Sequence, residues 1–398
     1  MNHRYVPALL LLAALLLLPD QSSAIPAFAR KYNISCTTCH SIAPKLKEYG
    51  EEFAGNAFNL PDAPPPARAY VDAGDDMLML HRFFPIAVRF DGYLQWADRG
   101  RGKFDFQSPY GVKLMSGGPI STHVGYYMYF FMNERGEVTG LEDAYVHFND
   151  IFNSGFDIMV GQFQVCDPLF KRELRLTLED YEVYKMRPEA SHASLTYDRG
   201  VMMTYGFDFG LDLTAEALNG SGIGAAEEKI FDGDNGKAFA FRASQSLGPV
   251  RIGGFAYTAN ESLPGGPGSI SNTVTVFGPD LTIGNDYLEL NAQYLMRKDD
   301  GIPILVSSGY IGQKLEMNGL TLELLYMPDA DKSVMTFAAL YNRIEQKDSD
   351  IFDGGIIYHS ATASVGYLLA RNLRLVGEMT YDIELEKPKL SMGFVSAF

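Results

Sequence analysis

Cysteine is scarce in this chain, with three among 398 residues, and tryptophan is scarcer, with one. Positive charge is also in deficit: 33 Lys and Arg face 49 Asp and Glu, for a net charge of -16. That balance excludes nucleic acid as a partner. Beyond the amino-terminal segment no run of about 18 apolar residues exists, so the mature chain has no transmembrane helix. Hydrolase triads, phosphate-binding glycine loops and zinc clusters are missing as well. The pair Gly253-Gly254 lies within a strand pattern, where glycine marks a bend.

What is present begins with an export signal. Arg4 gives a positive start, Val6 to Leu18 is an apolar run too short for a stable span, and Ser22-Ser23-Ala24 offers small residues for cleavage. Residues 1–24 read as a signal peptide, and the mature chain is expected to begin near Ile25. Removal deletes Arg4 and Asp20, one charge of each sign, so the net charge is unchanged.

Two of the three cysteines fall in the stretch ISCTTCHSIAPKLKEY, where Cys36, Cys39 and His40 form C-x-x-C-H. This is the attachment pattern of a c-type haem: two thiols bond covalently to the porphyrin vinyl groups, and the imidazole binds the iron from the proximal side. Such attachment takes place after export, which the signal peptide provides. With both thiols consumed, a disulfide framework is excluded, and Cys166 is expected to be a packed thiol.

From Pro85 onward the chain repeats one design, about ten residues of alternating character and then a turn. Val88, Phe90, Leu94 and Trp96 alternate with Arg89, Asp91 and Gln95. Leu288, Leu290, Ala292, Tyr294 and Met296 alternate with Glu289, Asn291 and Gln293. Leu320, Leu322, Leu324 and Tyr326 do so with Thr321 and Glu323, and Leu373, Leu375, Met379, Tyr381, Ile383 and Leu385 with Arg374, Glu378, Thr380, Asp382 and Glu384, which reads as one long strand. A soluble sandwich also alternates. The export signal, the 23 Tyr and 26 Phe, and a last strand with Leu390, Met392, Phe394 and Phe398 on alternate positions favour a membrane barrel. A terminal strand ending on an aromatic resembles the assembly signal of bacterial outer-membrane barrels. Turns are expected at Leu247-Gly248-Pro249, Asn318-Gly319, Met327-Pro328-Asp329 and Arg371-Asn372. Longer loops are expected at 219–236 and 260–272, and the aromatic cluster Tyr126, Tyr127, Tyr129, Phe130 and Phe131 is read as a strand end. The 314 residues from Pro85 to Phe398 (398 − 84) give about 16 strands at about 20 residues per strand and connection.

The fold class is therefore all-β: a transmembrane antiparallel β-barrel over residues 85–398, preceded by a small α-helical haem module at 25–60. Residues 61–84 form a proline-rich linker and lead-in. Within the module, Phe28 and Tyr32 pair on one short helix. Pro44 opens a second one, along which Ile42, Leu46, Tyr49 and Phe53 recur. Its apolar area is small, so the barrel wall is expected to complete the pocket.

Residues 25–59, IPAFARKYNISCTTCHSIAPKLKEYGEEFAGNAFN, resemble the haem segment of outer-membrane monohaem cytochrome-porin fusions, among them cytochromes that oxidise ferrous iron at the cell surface. Pro26, Phe28, Ala29 and Arg30, then Cys36, Cys39 and His40, then Pro44, Leu46, Gly50 and Phe53 carry the resemblance. The layout, one haem module followed by one porin-like barrel, covers the whole mature chain. One departure is Ala54, Gly55, Asn56, Ala57 and Phe58, where the iron oxidisers continue with a basic residue and a glycine-aromatic pair. The donor can differ accordingly.

What the resemblance implies is one covalent haem c and electron transfer across the bacterial outer membrane, with a periplasmic c-type cytochrome as one partner. An extracellular donor such as ferrous iron is the other, in which case the chain acts as a ferrous iron oxidase. A sixth iron ligand is expected from His81, with Met77 and Met79 as alternatives, or from His123 or His147 if the module plugs the barrel; a Met ligand raises the potential relative to His. His123, His147 and His359 are read as strand residues. Because one haem must bridge an apolar band about 25 Å tall, the module is expected inside the lumen. Acidic loop residues Glu227, Glu228, Asp232, Asp234, Asp348, Asp350 and Asp353 could attract cations, but acidic loops are common on such proteins. The direction of electron flow is not encoded. A porin whose haem is a structural or sensory plug stays open, as does a soluble periplasmic cytochrome with a β-sandwich.

Overall fold

The computed structural model describes residues 27–60, 70–71, 73–75, 78, 80–82, 84–98, 103–166, 169–226, 228–233, 236–307, 309–348 and 353–398. The expected signal peptide, most of the expected proline-rich linker, Met77, Met79, Glu227, Asp234 and Asp350 lie outside them.

The alternating segments form sixteen antiparallel strands that close on themselves, and the sandwich is thereby overturned. They are β1 (Ile86–Ala97), β2 (Phe104–Ser121), β3 (Val124–Glu134), β4 (Gly140–Phe148), β5 (Phe156–Phe163), β6 (Asp198–Gly206), β7 (Leu211–Leu218) and β8 (Ala238–Leu247). The circuit continues with β9 (Val250–Gly265), β10 (Gly268–Gly284), β11 (Leu288–Val306), β12 (Gly309–Tyr326), β13 (Met335–Gln346), β14 (Gly355–Ala370), β15 (Leu373–Asp382) and β16 (Lys387–Ala397). Each strand pairs with its chain neighbour, and β16 returns to β1, with Met392 opposite Leu94 and Ser391 opposite Gln95. Closure leaves no backbone edge for lipid to meet, which is why an apolar-faced sheet can span a membrane.

Period two sorts side chains between two environments. On β15, Leu375, Met379 and Tyr381 point outward while Arg374, Glu378 and Thr380 point into the lumen and are buried. Leu94 and Trp96 on β1, and Leu390 and Met392 on β16, extend the outward apolar surface. One rim carries both ends of the barrel sheet and tight turns such as Gly248-Pro249 and Arg371-Asn372; the other carries the long connections 164–197 and 219–237. In an outer-membrane barrel these are the periplasmic and extracellular rims.

Several local expectations fail, the first of them because this barrel is filled. Asn318-Gly319 is no turn but lies within β12, paired to Met296 and Leu295 on β11 and to Glu345 and Ile344 on β13. A Cβ at Gly319 would come within 2.7 Å of Val183 Cγ2, so glycine serves a close approach rather than a reversal. Residues 260–272 form the upper parts of β9 and β10 around a tight hairpin at Gly265–Gly268. There the alternation inverts: Asn260 and Ser262 face out, whereas Ala259 and Leu263 face in and join an interior core. Outward polar residues above the lipid read as loop in the sequence.

The aromatics Tyr126 to Phe131 occupy the interior of β3, with Tyr129 and Phe131 buried on the lumen side. His123 sits in the turn between β2 and β3, not in a strand.

The interior core is built by the segment 164–197, which folds into the lumen instead of standing on the rim. Cys166, buried and without a disulfide, packs there with Val165, Tyr184, Ala193, Leu195, Tyr257 and Leu263. Arg297 of β11, 1% exposed, donates to the Ala193 carbonyl at 2.8 Å and to Ser191 Oγ at 2.7 Å while paired with Asp299. Glu261 accepts from the amides of His192 and Ala193. Across the lumen, Glu378 of β15 accepts from the amides of Leu178 and Glu179 at 2.6 and 2.9 Å. Tyr181 donates to Glu323 of β12, and Asn342 of β13 donates to the Asp180 carbonyl. These contacts run from β9 round to β15 and hold the segment within the bore.

Candidate functional site

Upstream of the barrel, residues 27–60 hold two short helices, α1 (Ala27–Tyr32) and α2 (Glu48–Gly55), with a 3-10 turn at Cys36–Thr38 between them. The first matches the expected Phe28/Tyr32 helix. The second begins at Glu48 and not at Pro44, so Ile42 and Leu46 precede it. A local hydrogen-bond closure explains the delay. Lys47 donates its amide to the Cys39 carbonyl at 3.0 Å, and His40 bridges to Leu46, which makes residues 39–47 a closed loop.

The turn draws the three motif residues together. Ser35 caps it by accepting from the Thr37 amide, and the His40 amide donates to the Cys36 carbonyl at 2.9 Å. His40 Nδ1 lies 3.0 Å from the Pro44 carbonyl oxygen. Only a protonated Nδ1 can donate there, which leaves Nε2 as the lone-pair nitrogen. A carbonyl on the far nitrogen is the outer partner that metal-ligating histidines use to fix tautomer and ring orientation. Burial lowers the His40 pKa, against the carbonyl bond that raises it, and burial raises both thiol pKa values. Neutral imidazole is the form that ligates a metal.

Beside the turn lies an aromatic base. Phe28 stacks on Phe58 at 5.0 Å and meets Phe53 edge-on at 5.1 Å, and Tyr32 meets Phe53 edge-on at 5.6 Å. Cys39 and Ala54 pack against this cluster. Ala57 and Phe58 take left-handed backbone conformations with φ of 49° and 61°, turning the chain so that Phe58 stacks on Tyr127 of β3 at 5.5 Å. The run Ala54 to Phe58, where the sequence departs from the iron oxidisers, is thus the seam between module and barrel.

The module sits inside the rim that carries the termini. Lys45 pairs with Glu289 at the start of β11 at 2.7 Å, Lys47 with Asp331 after β12 at 3.4 Å, and Asn149 after β4 donates to Asn56 at 2.7 Å. Arg30 donates to the Ile86 carbonyl on β1. Ile42 joins a buried cluster with Leu325, Ala338 and Leu368 of the wall and with Leu176 of the inturned segment. The expected lumenal placement of residues 27–60 therefore agrees with the structure, and two inserts, one from each rim, meet within the bore. Between them remains a cavity of about 710 Å³, lined by Ser41, Leu46 and Ala54 of the module, His147, Met159 and Met202 of the wall, and Phe170 of the segment.

His81 lies elsewhere. It pairs with Tyr70 in a two-residue ladder, its Nδ1 is 2.9 Å from Lys31 Nζ, and its ring packs near Tyr70 and Tyr126. None of those partners belongs to the Cys36–His40 turn. His147 is a buried lumen residue of β4 that lines the cavity, 3.8 Å from Asp157. His359 bonds to Tyr341 and Glu384. Among the described residues no group of three or more His, Cys, Asp or Glu side chains is arranged to hold a metal ion. Of the acidic loop residues, Asp232 pairs with Lys237, and Asp348 accepts from the Gly354 amide.

Sequence reasoning missed the inturned segment and its charges. Burial opposes ionisation of Glu173, yet Lys113, Arg175 and Arg89 hold it down at about 2, and Lys113 Nζ lies 3.1 Å from it. Arg172 and Lys185 flank Asp180 in the same way. The available signal was a span of more than thirty residues without period two, too long for an ordinary connection.

No protein-family model matches the sequence, and no curated protein does either. Solved structures do match in shape. The chain is similar to OmpT, an outer-membrane protein of Vibrio cholerae in trimer form, at 9% identity and TM-score 0.57, over 79% of this chain and 99% of that one. It is similar to Salmonella typhi OmpF in complex with daunomycin, at 10% identity and TM-score 0.54, over 81% and 98%. An anion-selective porin from Comamonas acidovorans matches at 11% identity and TM-score 0.54, over 79% and 98%. The fold is that of bacterial outer-membrane porins.

Proposed function

We propose that this protein carries electrons across the bacterial outer membrane through one covalently bound haem c held in the lumen of its barrel. The observation that carries this reading is a single turn, inside the periplasmic end of the bore, that presents Cys36 and Cys39 together with a His40 whose Nδ1 is engaged by Pro44. Cys36 and Cys39 would hold the porphyrin and His40 Nε2 the iron. Bound there, the group supplies a one-electron couple. The chain's own residues supply the rest: the aromatic base seats the module, the pairs of Lys45 and Lys47 fix it to the rim, and the inturned segment shields it from the exterior.

In this reading a periplasmic c-type cytochrome exchanges electrons at the rim of the module, and an external donor, ferrous iron being the first to test, acts from the loop side. His81 has its Nδ1 on Lys31, and its ring packs near Tyr70 and Tyr126 rather than on the motif turn; His147 and Met159 lie on the cavity that the module borders. A second reading, a porin with a structural haem plug, is favoured by the remaining 710 Å³ cavity. Protein purified in detergent decides between them. Electron transfer expects a covalent haem band that is lost in Cys36→Ser, reduced by ferrous iron and reoxidised by a periplasmic cytochrome. A haem that none of these reagents reduces or oxidises, in a protein that conducts solutes through planar bilayers, points to the plug instead.

A further inference from the structure

Arg374 opens the inward face of β15 and is 6% exposed, yet its Nε and Nη1 have no hydrogen-bond partner among the described residues. Burying a guanidinium costs several kcal/mol unless it is paired. The nearby acids are already taken. Arg374 lies opposite Val395 on β16, which lies opposite Asp91 on β1, but Asp91 is held by Arg89 through two contacts of 2.9 and 2.8 Å. Glu378, two pleat repeats further along the same face, is occupied by the amides of Leu178 and Glu179. The methylenes of Arg374 lie over Gly366, where a Cβ would approach its Cδ at 3.4 Å, so the side chain is fixed against the wall rather than free to seek solvent.

Its place in the lumen is beside the Cys-His turn. Leu368, the cross-strand partner of Arg374 on β14, packs in the same cluster as Ile42, two residues after His40. Arg371, three residues before it, is close enough for its charge to act on the Cys36 thiol. Ser41, between His40 and Ile42, has a buried hydroxyl that likewise lacks a partner. A porphyrin tethered at Cys36 and Cys39 carries two carboxylates on the edge away from its thioether side, and it is this chemistry, a planar carboxylate meeting a planar guanidinium, that an unpaired arginine fits best.

We infer that Arg374 is the anchor for a carboxylate of the covalently bound haem, making a charge-assisted pair that holds the macrocycle against β15. The assignment rests on the haem reading above, and it makes Arg374 a positioning residue with an electrostatic signature: a buried positive charge stabilises the ionised carboxylate and favours the ferrous over the ferric state.

The test uses full-length protein in detergent, comparing wild type with Arg374→Gln and Arg374→Lys, for covalent haem content and for midpoint potential between pH 5 and pH 9. Arg374→Gln is expected to keep its haem, to show a lower potential, and to move the carboxylate titration seen in the potential upward by about 1–3 pH units. Arg374→Lys, which keeps the charge but loses the fork, should fall between, and it carries the test alone if the glutamine variant does not assemble. Haem-loaded variants with the wild-type potential and pH profile overturn this assignment and leave the haem reading standing. A wild-type protein without haem overturns both.

Discussion

Gly50 of α2 and the carbonyl of Cys39 are in such close contact that a Cβ on Gly50 would lie 2.2 Å from the Cys39 oxygen. The second helix is thereby pressed against the motif turn, and the obstruction is backbone, which cannot swing aside. Gly50→Ala is therefore expected to cost about 1–3 kcal/mol of module stability by overpacking. Covalent haem yield and protection of residues 27–60 from protease should fall, while the heat-modifiable gel mobility of the barrel stays as in wild type. An alanine variant with full protection would mean that α2 does not pack on the turn.

Arg297 predicts what holds the inturned segment. It is buried with Asp299 and bonds to Ser191 and Ala193. Arg297→Ala leaves Asp299 without its ion pair, a loss of about 3–5 kcal/mol. The segment should then become cleavable by added protease, and single-channel conductance in planar bilayers should rise. Equal conductance in both proteins would place the permeability barrier at the module.

Burial lowers the Lys31 ammonium from the ordinary 10.5 to about 7. Between those values the undocked chain holds a proton that the docked one lacks, so docking gains stability as pH rises from about 7 to about 10.5, and the penalty is constant below. His81 Nδ1 and the rings of Tyr32 and Tyr70 face the amine. Protection of residues 27–60 from protease should increase over that range in wild type and be flat in Lys31→Met.

Outward Met379, 48% exposed on the ten-residue β15, meets lipid near the middle of the strand. Met379→Arg is expected to cost roughly 2–4 kcal/mol in folding titrations into lipid vesicles, and Met379→Leu close to nothing. Equal stability of the two variants would mean that this face is not lipid-exposed.

Much of the fold is legible in the sequence because period two is imposed by the pleat itself. Residues such as Leu375, Met379 and Tyr381 report their face without reference to any distant residue. The inverted tips of β9 and β10 are not legible in the sequence because the same period says which residues share a face, not whether that face meets lipid or water. Asn318-Gly319 has turn chemistry by type alone, and its glycine exists for Val183, which is 136 positions away.

By itself the sequence determined the closed antiparallel sheet and the grouping of Cys36, Cys39 and His40, since each follows from alternation, chain length or spacing along the chain; the lumenal place of residues 27–60 follows from none of these and rests on the reach expected of one haem. Tertiary structure alone decided that residues 164–197 turn inward, that His81 sits against Lys31, and that Arg374 is buried with two guanidinium nitrogens unpartnered among the described residues. Those outcomes depend on which walls face one another across the bore, and closure of the barrel sets that distance only after every strand has paired.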